Sequence, residues 1–144
     1  MDLDEASAPL VDWEKFQQMR TELGAGFVRI LSYFREDGEK SVTKIEEAMH
    51  RRDAAAFVLP AHTMKSEARQ FGSEPLAALA EEIELAGRRA VESGLFPDHI
   101  LPQVAQLRPL YARTMDLLEQ ETNPLVARRK SFDDKPSNQE FGRL

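Results

Sequence analysis

The chain has 144 residues, with 19 basic against 25 acidic side chains and a net charge of −6. That length suits one domain with a real core, and the acidic balance disfavours a general nucleic-acid binder. Cysteine is absent, which excludes disulfides and thiol chemistry, and no apolar run approaches a membrane span. The first residues, MDLDEASAP, are acidic and lack a signal-peptide pattern, so a cytoplasmic location is expected.

Residues 1–9 carry little to bury and are expected to be flexible. A short helix is predicted from Leu10 to Leu23, with Val11, Phe16 and Met19 for burial and Trp13 packing it onto the rest. Gly24 and Gly26 loosen the chain. From Phe27 the series Phe27, Leu31, Phe34, Gly38, Val42, Ile45 and Met49 keeps helical phase, predicting one long helix to Arg52. Gly38 marks a kink or break in it, with Ser41 as the N-cap of the second half if it breaks.

The next helix runs from Asp53 or Ala54 to Phe71, capped by Asp53. Phe57, Ala61, Met64, Ala68 and Phe71 form one continuous core face. Pro60 removes a backbone hydrogen bond and predicts a kink just before His62, or a helix that begins only at Leu59 or Pro60. His62, Lys65, Ser66 and Arg69 share a different face, at i, i+3, i+4 and i+7. A histidine is thus presented to solvent with an ammonium one turn away, and imidazole is the side chain best suited to nucleophilic work near neutral pH. Gly72 supplies a left-handed stop and Ser73 the cap of the following helix, Glu74 to Glu92, whose core face is Leu76, Leu79, Ile83, Ala86 and Ala90. Asp98 is read as the N-cap of a last helix, His99 to Gln120, with Leu101, Val104, Leu107, Tyr111, Thr114 and Leu118 along one stripe and a bend from Pro102 and Pro109. His50 falls at a helix C-terminus and His99 at a helix start; neither belongs to a metal-ligand spacing, so no metal site is expected. Residues 122–144 lack helical phase and read as a mobile polar tail with a basic cluster at Arg128, Arg129 and Lys130. The short connections predict an all-α fold, an antiparallel up-down-up-down four-helix bundle over residues 10–121 with a short extra N-terminal helix.

The run A-H-T-M-K-S-x-x-x-x-x-G resembles the motif of histidine-phosphotransfer (HPt) domains, H-x-x-K-G with a second glycine. The resemblance covers roughly Trp13 to Glu121 and implies a bundle that carries a phosphoryl group on one exposed histidine between receiver-domain aspartates. It makes His62 the phosphoacceptor and Lys65 the charge-stabilising residue, and matches Gly72 to the second glycine. Ser66 departs from the first, where glycine lets a receiver loop approach closely. Members commonly carry a leucine-glutamate or similar pair twenty-one and twenty-two residues after the histidine; here these are Ile83 and Glu84. By that match Glu84 orients His62 by holding Nδ1–H, leaving Nε2 as the nucleophile. Val58, Ser66, Arg69 and Arg88 are assigned to partner docking, with Ala77 and Ala80 keeping the adjoining surface low.

The implied partners are response-regulator receiver domains and a hybrid histidine kinase, with Mg²⁺ supplied by the receiver and no cofactor of its own. A monomeric phosphorelay carrier without ATP-binding machinery is expected, not an autonomous kinase. Two alternatives stand beside it. One is a non-catalytic adaptor that binds receivers without transfer. The other is a detached first domain of a chemotaxis-type kinase, against which the missing downstream domains and dimerisation heptads argue.

Overall fold

The computed structural model describes residues 9–122. The expectations for residues 1–8 and for the tail that holds Arg128, Arg129 and Lys130 lie outside the described residues. Among the described residues all regular structure is helical: α1 (Trp13–Leu23), α2 (Phe27–Arg51), α3 (Ala55–Gln70), α4 (Glu74–Ser93) and α5 (Leu101–Thr122). No described helix is long and apolar enough to cross a membrane.

Helix α1 starts at Trp13, not Leu10, because Asp12 takes the cap. Its Oδ1 accepts from the backbone N–H of Glu14 at 3.1 Å and of Lys15 at 3.2 Å. Val11, Phe16 and Met19 are buried as their spacing predicts, and Trp13 lies edge-on to Phe16 at 5.1 Å while staying 39% exposed. Asp12 also straps this segment to the bundle, its N–H donating to the Gly72 carbonyl at 2.7 Å.

Helix α2 runs unbroken through Gly38, so the break and the Ser41 cap do not occur; Ser41 is buried within the helix. Gly38 is instead a point of close approach. A methyl there would stand 2.8 Å from Cζ of Tyr111 on α5. The Tyr111 hydroxyl, passing over that gap, donates to the Arg35 carbonyl at 2.6 Å. α2 ends on Arg52, a left-handed residue (φ 56°), whose guanidinium bonds Asp98 at 2.5 Å and covers the Phe96 ring at 4.4 Å. Asp98 is therefore an anchor and not the cap of α5. It opens a 3₁₀ turn, Asp98–Ile100, and the different rotation per residue of that turn buries Ile100 and leaves Leu101 53% exposed. The rest of the predicted stripe, Val104, Leu107, Tyr111, Thr114 and Leu118, is buried.

In α3 the helix begins at Ala55 and continues through the buried Pro60, so Leu59 and Pro60 do not start it. Asp53 Oδ1 accepts from Ala56 N–H at 3.3 Å, the capping role read for it. Gly72 has φ 75°, the left-handed stop. Ser73 does not cap α4: its hydroxyl is buried and has no partner among the described residues.

Each of α2 to α5 packs on its neighbour in the chain, and α5 closes on α2, giving a four-helix bundle with α1 added at one side. A chain of aromatic contacts threads it: Phe16 on Phe27 at 5.3 Å, Phe27 on Phe71 at 5.7 Å, and Phe71 stacked on Phe34 at 5.2 Å. Arg108 clamps α5 to α2, bonding Glu39 at 2.6 Å, Thr43 at 3.2 Å and Glu46 at 2.9 Å.

Candidate functional site

The core face of α3 fixes where the other face points. With Phe57, Ala61, Met64 and Ala68 fully buried, His62 is turned outward and its side chain is 50% exposed. Opposite it, Ile83 is buried in the core and places Glu84 at the inner edge of the seam between α3 and α4, its side chain only 4% exposed.

Three side chains converge on that one carboxylate. His62 Nδ1 lies 3.1 Å from Oε2, the Lys65 ammonium 2.8 Å from Oε1, and Arg88, one turn along α4, donates to Oε2 at 2.7 and 3.0 Å. Burial alone would push the Glu84 carboxyl up, but its bonds from Lys65, Arg88 and His62 outweigh that and hold it at about 2. The carboxylate is thus ionised across the neutral range and acts as an acceptor. A carboxylate accepting at Nδ1 calls for the Nδ1–H tautomer and leaves Nε2 with its lone pair.

The remaining predicted residues divide. Ser66 is exposed one turn beyond His62, on the wall of a groove of about 420 Å³ whose other wall is Lys15, Gln18 and Met19 of α1. Val58 is half-buried and faces Gly87 of α4. Arg69 is engaged within the fold, bonding Glu74 at 3.0 Å and Glu81 at 3.1 Å across the α3–α4 seam. Ala77 and Ala80 do not line the surface beside the site, because both are fully buried.

Two contributors escape the sequence reading. Leu59, one turn before His62, is 73% exposed. Gly87, between Glu84 and Arg88 in sequence, lets α4 approach α3: a methyl there would stand 2.9 Å from the Ala54 carbonyl and 3.1 Å from Val58. The signal was present in its small neighbour Ala86 and in the buried Ala90 one turn on. A second acidic contact lies on the α2 side of the motif helix, where burial first and Asp37 of α2 second push the Glu67 carboxyl up to about 8.

A helical bundle presenting one histidine, oriented from below by a carboxylate and flanked by an ammonium, defines a class of protein that carries a group on an imidazole. The family model for the Hpt domain matches residues 29–122, and the chain belongs to that family as a histidine phosphotransfer protein. It is similar in structure to histidine-containing phosphotransfer protein B (HptB) from Pseudomonas aeruginosa PAO1. The TM-score is 0.70 and the identity 23%, over 80% of this chain and 96% of that one, a likeness that shows the fold. A search of curated proteins finds no match. Helix α1 precedes the matched range.

Proposed function

We propose that this protein relays a phosphoryl group between receiver-domain aspartates through His62, accepting it within a pathway fed by a hybrid histidine kinase. The observation that carries this reading is the exposed His62 ring held at Nδ1 by a buried, ionised Glu84. The lone pair of Nε2 attacks phosphorus of a receiver aspartyl phosphate in line. The P–O bond to aspartate breaks and the carboxylate leaves. Positive charge develops on the imidazole as the N–P bond forms, and Glu84 opposes it at Nδ1–H. Lys65, held on Glu84 at 2.8 Å in the free protein, is the cation assigned to the phosphoryl oxygens once it swings out of the seam. Mg²⁺ belongs to the receiver, where it neutralises the phosphoryl charge during transfer. The reverse reaction with a second receiver regenerates an aspartyl phosphate.

Receiver docking falls on the exposed surface around His62, with Leu59, Val58 and Ser66 on the motif helix and the edge of α1 beyond the groove. Arg88 adds a surface cation, 54% exposed, while Arg69 serves the rim through its hold on α4. The protein acts as a monomer and as a carrier of the phosphoryl group. Incubating it with phosphorylated receivers tests the reading. Wild type is expected to gain an acid-labile, alkali-stable label that His62→Gln lacks. A folded wild-type protein that takes no label from a panel of receivers returns the reading to a non-catalytic adaptor.

A further inference from the structure

Ser66 stands where the family motif has glycine, and its hydroxyl is exposed. Among the described residues that hydroxyl has no hydrogen-bond partner, unlike those of Thr114 and Thr122. Those two turn back on the carbonyls of Leu110 and Leu118 at 2.8 and 2.7 Å. A helical side chain leans toward the N-terminus of its helix, so Ser66 tilts over the turn that presents His62. The ring is anchored at Nδ1 by Glu84, which directs the opposite nitrogen, Nε2, away from the α4 seam. Lys65, by contrast, is drawn into that seam and its side chain is only 18% exposed. The free donor on the outer face of the helix one turn from the ring is therefore a hydroxyl.

We infer that the Ser66 hydroxyl donates a hydrogen bond to a phosphoryl oxygen on Nε2 of His62 and lengthens the life of the phosphorylated protein. The inference rests on the relay reading above. Loss to water proceeds by attack of a water oxygen on phosphorus. The N–P bond breaks, Nε2 keeps the electron pair, and the water proton passes to solvent. In an in-line displacement phosphorus moves away from the ring toward the incoming water, with attacking and leaving atoms opposed. A donor anchored on the helix holds an outer oxygen in the starting geometry and is strained by that movement, so the bond is worth more before the reaction than during it and slows hydrolysis. A glycine at this position offers no such donor.

Phosphoramidate, a small phosphoryl donor, loads His62 without a receiver and so separates this effect from docking. After the donor is removed, ³¹P NMR follows the phosphohistidine signal in wild type, Ser66→Ala, Ser66→Gly and Ser66→Thr. Ser66→Ala and Ser66→Gly are expected to shorten its half-life about fivefold, the part of one hydrogen bond that is lost on the way to the transition state, and to shift its resonance alike. Ser66→Thr restores the hydroxyl and keeps both lifetime and resonance near wild type. An alanine variant with the wild-type lifetime and resonance overturns the inference, because side-chain bulk would then account for Ser66. Loading of His62 with no difference among the four proteins also overturns it, yet leaves the relay reading standing. Failure of wild-type His62 to take any phosphoryl group overturns both.

Discussion

Glu84 is the residue on which the site depends, because a nearly buried carboxylate is tolerated only where its partners compensate the lost hydration. Lys65, Arg88 and His62 do so from two helices. Its folded carboxyl stands at about 2, below the ordinary 4.5 of the unfolded chain. The stabilisation it brings is therefore complete above about pH 5 and is lost as pH falls from 4.5 toward 2. Glu84→Gln is expected to lower the urea midpoint at pH 7 and to narrow its difference from wild type at pH 3. The same variant retains an oxygen acceptor for Nδ1–H but no charge to oppose a developing imidazolium. Transfer to His62 should slow about tenfold, read as the rate of label uptake from a phosphorylated receiver.

At the scale of the helices, Gly38 decides how closely α2 and α5 approach. Replacing glycine by alanine in a helix interior ordinarily stabilises by about 1 kcal/mol. Here the added methyl meets the Tyr111 ring, which is held by its 2.6 Å bond to the Arg35 carbonyl and cannot yield without breaking it. Overpacking of about 1–3 kcal/mol wins, so Gly38→Ala should lower the unfolding midpoint, and Gly38→Ala with Tyr111→Phe should recover part of the loss. The sequence shows Gly38 in phase with the core of α2 and so shows which way it points. It does not show that an aromatic ring from α5 fills the space, because periodicity reports the face of a helix and not the identity of its neighbour. The same limit explains Ala77 and Ala80, whose small side chains read as a low surface and lie inside the bundle. Where two residues stand on one helix or follow a family spacing, as His62, Lys65 and Glu84 do, the motif alone brings them together. Where a contact depends on a turn, as with Asp12 on Gly72 or Arg52 on Asp98, local pattern carries no trace of it.

For the molecule as a whole, the notable pH dependence sits on the α2 side of the motif helix. Glu67 has a half-buried carboxyl raised to about 8 by burial and by the adjacent Asp37, against 4.5 when unfolded. The folded state then holds a proton that the unfolded chain has given up, so the contribution of this group to stability is greatest below pH 4.5 and declines as pH rises toward 8. Lys40 and Lys44 of α2 line the nearby groove with Asp37, and Tyr111 faces Glu67 from α5. Glu67→Gln keeps the polar shape and removes the ionisation. Urea midpoints measured from pH 5 to pH 9 should fall with pH in wild type and stay level in the variant. A wild-type midpoint that is flat over this range would falsify the assignment.

The single indole of the protein stands at the start of α1, edge-on to Phe16 and 39% exposed. It belongs to the helix that precedes the family-matched range, and α1 forms a wall of the groove beside Ser66. Its fluorescence thus reports on the start of α1. Emission moves to the red if α1 peels from the bundle and to the blue if a partner covers it. Release of α1, or its cover by a partner, can then be followed optically in unlabelled protein.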